Sequence, residues 1–245
     1  MIASSFKLNY FRKHNMLKAL TAIMLTALMS SAVFAEVVEV YRWKVYPGKD
    51  SETLALFEKS AAIHAAMGIP VQINRLNIGS TQQLDYVMRY DDIAAWGRLK
   101  DEASTSTDFL ELYAEYVENP PAELVETIRG TNLDTSVMAS DFDDEPVFAV
   151  YIWEPDRGTT PQLIAGFKSS ETLHENYGAR IEGYQESYGG TTKMHYLMLF
   201  ESWSALAAFE SNEDMVQFAN SLNSNPDSTS TLVASFTGTT IATFK

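Results

Sequence analysis

The chain has 245 residues, a formal charge of −14 and no cysteine. The lack of thiols excludes disulfides, thiolate metal sites, iron–sulfur clusters and thioether-linked haem, and the acidic field opposes a nucleic-acid backbone or an anionic membrane surface as partner. With 46% hydrophobic and 12% aromatic residues, there is enough apolar side chain for a well-filled core.

Residues 1–35 read as a secretory signal peptide. Lys7, Arg12, Lys13 and Lys18 precede an apolar run from Ala19 to Leu28, and Ser30, Ser31, Ala32, Val33 and Ala35 follow it. Val33 and Ala35 suit the cleavage positions, which puts the mature start near Glu36 and the protein in the periplasm or outside the cell. Met16 is an alternative initiator. An uncleaved anchor would need about twenty apolar residues in a row; threonines and serines interrupt this run, and no membrane span is expected after cleavage. Without the four leader cations, 14 basic residues face 32 acidic ones, a formal charge of −18.

Val37 to Val45 reads as a strand, with Val37, Tyr41, Trp43 and Val45 towards one side and Val38, Val40, Arg42 and Lys44 towards the other; Pro47 and Gly48 end it. Asp50 or Ser51 suits the cap of a helix in which Leu54, Phe57, Ala61 and His64 recur at spacings of three and four. Gly68 fits the stop of that helix, and Pro70 forbids its continuation. Val71 to Ile78 and Leu84 to Tyr90 alternate on either side of a polar turn, which predicts a hairpin. Asp91 and Asp92 open a helical stretch through Trp96 and Leu99, and another runs from Asp108 to Val117 before Asn119, Pro120 and Pro121. Leu124 to Leu133 is the last strand, giving the order βαββαβ.

An acidic linker at 135–145 follows the first unit, 36–134, and the order then restarts in a second unit, 146–245. Phe57, His64, Gly68 and Gly79 reappear as Phe167, His174, Gly178 and Gly189, all at an offset of 110. Tyr41, Trp43 and Tyr86 return as Tyr151, Trp153 and Tyr196, and near the end the offset falls to 108, matching Gly130 with Gly238. A βαββαβ unit carries both helices on one face of a four-stranded sheet and leaves the other face to be covered. A second copy supplies that cover, so the expected fold is α+β: two ferredoxin-like repeats packed sheet to sheet as a pseudo-dimeric α/β barrel, either a monomer or part of a higher oligomer.

In element order, length and repeat, residues 36–245 resemble the dimeric α/β-barrel superfamily of ferredoxin-like domains, which includes antibiotic-biosynthesis-monooxygenase-like, EthD-like and NIPSNAP-like families. Members usually build the barrel from two chains. The superfamily contains cofactor-free monooxygenases, haem-binding enzymes, dehydratases and isomerases, so the resemblance implies a barrel and leaves the activity open.

His64 and His174 are the sharpest candidates for a ligand site, placed at the last turn of the first helix of each unit. Each imidazole suits a proton carrier, a hydrogen-bonding partner of a small-molecule ligand or an axial haem ligand. It equally suits a structural histidine bonded to a carbonyl at the negative end of the helix dipole. Helices on the outside of a barrel would hold the two histidines apart, so no shared metal is expected. Tyr41, Trp43, Tyr86, Tyr151, Trp153 and Tyr196 either line an aromatic cavity or simply fill the core. Arg42, Arg75 and Arg89 face Ile152, Gln185 and Leu199 in the second unit, and would hold a ligand carboxylate if they met a cavity, or else pair with acids such as Glu39. Glu58, Glu171 and Glu175 flank the histidines without a copied counterpart, and His195, matched with Asp85, reads as a strand-face residue. No phosphate loop, His-Glu-x-x-His or nucleophile elbow is present, so no residue is assigned a catalytic role. The alternative to a ligand-binding or ligand-transforming protein is a non-catalytic interaction module with an acidic surface.

Overall fold

The strand alternation separates two sets of side chains. In β1 (Val37–Val45), Val37, Tyr41, Trp43 and Val45 pack with the hydrophobic core beneath the helices, while Val38, Val40 and Arg42 turn to the opposite face. In β3 (Gln83–Tyr90), Leu84, Tyr86, Met88 and Tyr90 join the first set and Asp85, Val87 and Arg89 the second. The computed structural model describes residues 35–80, 83–141, 145–189 and 193–245, so the expected signal peptide lies outside the described residues.

The remaining elements in chain order are α1 (Asp50–Ala66), β2 (Val71–Leu76), α2 (Ile93–Thr105), α3 (Thr107–Glu118), β4 (Ala122–Asn132), β5 (Val147–Pro155), α4 (Thr160–Asn176), β6 (Arg180–Tyr188), β7 (Met194–Phe200), α5 (Trp203–Glu210), α6 (Glu213–Asn223) and β8 (Ser230–Phe244). The strands close a barrel in the order β1-β3-β2-β8-β5-β7-β6-β4. Every neighbouring pair is antiparallel, so β1, β2, β5 and β6 run in one sense and the pseudo-twofold axis lies along the barrel axis. The halves meet edge to edge through β2–β8 and β4–β6, so each of the eight described strands has a neighbour on both sides. None of the described helices is long and apolar enough to cross a membrane.

The His-x3-Gly spacing has a local cause. At the end of α1 the Ile69 amide donates to the His64 carbonyl at 2.9 Å and the Gly68 amide to the Ala65 carbonyl at 2.9 Å. These two hydrogen bonds make a helix stop that needs a left-handed residue, and Gly68 has φ +79°. At the end of α4 the Ala179 and Gly178 amides reach the His174 and Glu175 carbonyls, with Gly178 at φ +86°. Each histidine therefore sits one turn before the glycine, where its side chain turns to the sheet. The other end of α1 departs from expectation. Lys49 occupies the cap position and makes no side-chain capping bond, and the Asp50 carboxylate is held by Arg75 through bonds of 2.7 and 2.8 Å.

The barrel interior is apolar in its middle, where Val38, Val87, Val150, Leu197, Leu199 and Phe236 meet, and charged towards its ends. At the end where β1 begins, the fully buried Arg89 guanidinium bonds Glu36 at 2.7 Å, Glu182 at 3.4 Å, Gln72 at 3.2 Å and Tyr184 at 3.2 Å. Tyr184 also donates to Glu182 at 2.5 Å, and Asn132 to Glu36 at 2.8 Å. This cluster joins the two halves across the barrel. At the opposite end Arg42 bonds Asp85 at 2.8 Å and Glu126 at 3.0 Å.

Two substitutions test this packing. A Cβ on Gly238 would overlap the Phe148 ring and stand 2.6 Å from the Arg75 carbonyl oxygen, whereas one on Gly97 in α2 meets nothing within 4 Å. Gly238→Ala is expected to lower stability by about 1–3 kcal/mol and Gly97→Ala to raise it by roughly 0.5–1 kcal/mol, read from urea unfolding midpoints. Arg89→Met, which leaves two buried carboxylates uncompensated, is expected to cost about 3–5 kcal/mol in the same measurement.

Candidate functional site

Between the helices and the outer face of the sheet each half holds a cavity, ≈ 430 Å³ in the first half and ≈ 470 Å³ in the second. Tyr41, Trp43, Tyr86 and His64 line the first, and Tyr151, Trp153, Tyr196 and His174 line the second. All eight residues singled out from the sequence are thus gathered into two equivalent sites. They lie on opposite sides of the barrel, since β3 and β7 stand four places apart in a ring of eight strands.

Register explains the gathering. Tyr41 pairs directly with Tyr86 across β1 and β3, and Tyr151 with Tyr196 across β5 and β7. The last turn of the overlying helix then brings the imidazole to the phenol: His64 Nδ1 lies 2.7 Å from Tyr86 Oη, and His174 Nδ1 lies 2.8 Å from Tyr196 Oη. Rings frame both pairs. Phe57 meets Tyr86 edge-on at 5.4 Å and Trp43 at 5.8 Å, while Phe167 meets Tyr196 at 4.8 Å. Phe109 lies over His64 and Phe218 over His174, at 5.2 and 5.0 Å.

Burial decides the charge state of these pairs. It lowers the His64 pKa from 6.5 to about 4, with the Lys100 ammonium adding to the drop and Glu39 opposing it. Burial also lowers His174 and raises the Tyr86 and Tyr196 phenols above their ordinary value. At neutral pH each pair is uncharged. The expected carbonyl partner of each histidine is, at Nδ1, a tyrosine hydroxyl instead. In the first half Ser60 Oγ is 3.3 Å from Tyr86 Oη, extending the pair to a chain of three. The equivalent Ser170 turns to the Gly166 carbonyl at 2.9 Å. Such a chain exists in two proton arrangements, and switching between them changes His64 Nε2 from acceptor to donor.

The first cavity also has a polar wall that sequence reasoning missed. Lys100 donates to Glu39 and to Tyr41 Oη, both at 3.0 Å, and Trp96 Nε1 donates to Glu39 at 2.8 Å. Burial disfavours the Lys100 ammonium, yet its bonds to Tyr41 and Glu39 outweigh that penalty and its pKa rises. The signal was present as Trp96 and Lys100 four residues apart on one helix face, but their shared partner lies 57 residues or more away. In the second half, positions 39, 96 and 100 become Ala149, Leu206 and Glu210, so this wall is not duplicated.

The three strand arginines do not serve these cavities. Arg42 and Arg89 point into the barrel and Arg75 binds Asp50, so the proposed pairing with Glu39 gives way to Lys100. None of Glu58, Glu171 and Glu175 bonds a histidine, whose Nδ1 partners are both tyrosines. His195 faces the barrel interior and meets Glu186 at 2.5 Å. Among the described residues no group of three His, Cys, Asp or Glu side chains is placed to hold a metal ion. Haem would find a possible axial donor in His64 Nε2. Its two propionates would find, among the residues lining the cavities, only Lys100, already engaged by Glu39 and Tyr41. The donor set therefore suits a neutral aromatic better than haem.

The depressed His64 pKa makes a prediction. Between pH 6.5 and about 4 the unfolded chain binds a proton at His64 that the folded chain does not, so stability is full above pH 6.5 and falls as the pH drops through that window. The loss amounts to about 3 kcal/mol. Urea unfolding at pH 7 and pH 5 should give a smaller difference for His64→Gln than for the parent chain.

Solved structures with the same architecture include a candidate monooxygenase from Fusobacterium nucleatum subsp. nucleatum, at 10% identity and TM-score 0.57 over 86% of this chain and 93% of that one. An anthrone oxidase-like protein superposes at 9% identity and TM-score 0.57, covering 87% and 94% of the two chains. A chlorite dismutase variant from Candidatus Nitrospira defluvii follows at 8% identity and TM-score 0.53, covering 84% and 92%. No protein-family model matches the sequence, and no curated protein sequence does. At such identities the likeness is one of fold: the chain has the dimeric α/β-barrel fold, with two ferredoxin-like repeats of a single chain in place of two subunits.

Proposed function

We propose that units 36–134 and 146–245, joined by the linker at 135–145, each bind a small, uncharged, largely aromatic molecule in the cavity between helices and sheet. The carrying observation is the repetition of one construction: an apolar chamber of several hundred Å³ with a neutral, buried His–Tyr pair in its wall. Volumes of this size suit a ligand of two or three fused rings. Aromatic walls bind its faces, and the imidazole meets one hydroxyl or carbonyl.

The finer reading is oxygenation without a metal, centred on the first half. A neutral His64, relayed to Tyr86 and Ser60, is able to accept a proton from a ligand hydroxyl. The Lys100 ammonium nearby would favour the resulting anion, the electron-rich form in which such a ring reacts with oxygen. Two fold neighbours, a candidate monooxygenase and an anthrone oxidase-like protein, support this reading. We further propose that the chain is exported to the periplasm or beyond; its supporting observation is the composition of residues 1–35, and the test is N-terminal sequencing of the protein recovered from the exporting host.

The first experiment is titration with 1-naphthol and naphthalene, followed by quenching of tryptophan fluorescence and by oxygen uptake. The parent chain should bind both probes. His64→Gln and Tyr86→Phe should each weaken 1-naphthol about five- to tenfold while leaving naphthalene unchanged. Added haemin should give no Soret shift dependent on either histidine. Failure of both aromatics to bind saturably would overturn the ligand-binding reading in favour of a non-catalytic interaction module, and a His64-dependent Soret band would replace the neutral aromatic by haem.

A further inference from the structure

The barrel interior is a compartment separate from the two outer cavities. It encloses ≈ 110 Å³, room for several waters or one small organic ion. Among the described residues, two buried polar atoms of its lining side chains have no hydrogen-bond partner: Glu186 Oε2 and Asn74 Oδ1. Glu186 is only 6% exposed, and its other carboxylate oxygen is taken by His195 Nε2. An unsatisfied buried carboxylate oxygen is costly, more so than an unsatisfied amide. Asn74 on β2 and Glu186 on β6 stand four places apart in the ring of eight strands, on opposite walls of the same chamber.

A ligand that suits this chamber brings hydrogen-bond donors, because both unpartnered atoms are acceptors. It must also be compatible with the charges around it. Arg42 is bonded to Asp85 and Glu126, and Arg89 to Glu36 and Glu182, whereas among the described residues Glu186 is paired with His195 alone. A positive charge is therefore favoured over a neutral donor. Gln72, Asp85, Tyr184 and Thr240 add polar groups to the wall, and Val40, Val150, Leu197 and Phe236 form an apolar stretch of it. That surface suits a short hydrocarbon stem and opposes a fully hydrated metal ion.

We propose that the barrel interior is a binding site for a small primary alkylammonium ion, anchored on Glu186 Oε2, reaching Asn74 with a second N–H, and resting its stem on the valine and leucine wall. The three donors of a primary ammonium satisfy both acceptors, and its charge offsets the buried carboxylate. Access is from the end at which Arg42 and His195 keep partial solvent contact, their side chains being 13% and 17% exposed; the Arg89 cluster occupies the other end.

Calorimetric titration of the whole chain with methylammonium and propylammonium chloride tests the site, with tetramethylammonium, which carries no N–H, as control. The expected result is saturable one-to-one binding of the primary ions, absent for tetramethylammonium, and weakened about tenfold or more by Glu186→Gln. Tyr86→Phe, in an outer cavity, should leave that binding unchanged. If Glu186→Gln fails to fold, Asn74→Ala should weaken the binding and Val150→Phe, which fills the chamber, should remove it. No saturable binding to the parent chain, equal binding of tetramethylammonium, or persistence of binding in Val150→Phe would each overturn the proposal and leave the chamber to water.

Discussion

The whole arrangement depends on one constraint: a four-stranded sheet with helices on one face still has a second apolar face to remove from water. Each half solves this for the other. Edge pairing through β2–β8 and β4–β6 closes the ring and turns both uncovered faces inwards. Hydrophobic burial would hold the faces together in many relative positions. The Arg89 cluster adds direction, since its partners come from Glu36, β2, β4 and β6 and meet only in one register. A buried ion cluster is weak evidence for stability and better understood as a device for specificity. Here it fixes how the second half is seated on the first.

The fold was legible because its causes are local and copied. Strand alternation, the glycine stop after each histidine and the order of elements are all written in neighbouring residues, and the repeat supplied the cover for the open face. The gathering of Tyr41, Trp43 and Tyr86 with His64 was legible for the same reason: one face of each strand and one face of a helix define it. The partners of the ionic groups were not. Arg89 meets Glu182 across 93 residues, and Arg42 meets Asp85 across 43, so these pairs follow from strand register and barrel closure, which no spacing along the chain encodes. Asp50 failed as a cap because Arg75, a residue of a different element, competes for its carboxylate.

Duplication preserved the construction of the outer sites and let their chemistry diverge. The His–Tyr pair persists because both members are set by backbone features, the helix stop and the Tyr–Tyr strand pairing. The surrounding charges have no such anchor. Lys100, Glu39 and Trp96 in the first half correspond to Glu210, Ala149 and Leu206 in the second. The first cavity has the Lys100 ammonium in its lining; in the second half, burial and, after it, the Glu210 carboxylate raise the pKa of the Tyr151 phenol. Two chambers of similar size thus differ in the charged groups beside them.

The same strands serve two compartments without coupling them chemically. Along β1, Tyr41 and Trp43 face the outer cavity and Val40 and Arg42 the interior; along β3, Tyr86 and Asp85 divide in the same way. A period of two places adjacent residues on opposite sides of one backbone layer. Side-chain changes at one parity alter the outer site, while those at the other alter the interior, and the hydrogen-bonded ladder between them is common to both. A chain built this way is able to vary the lining of one compartment without rebuilding the other.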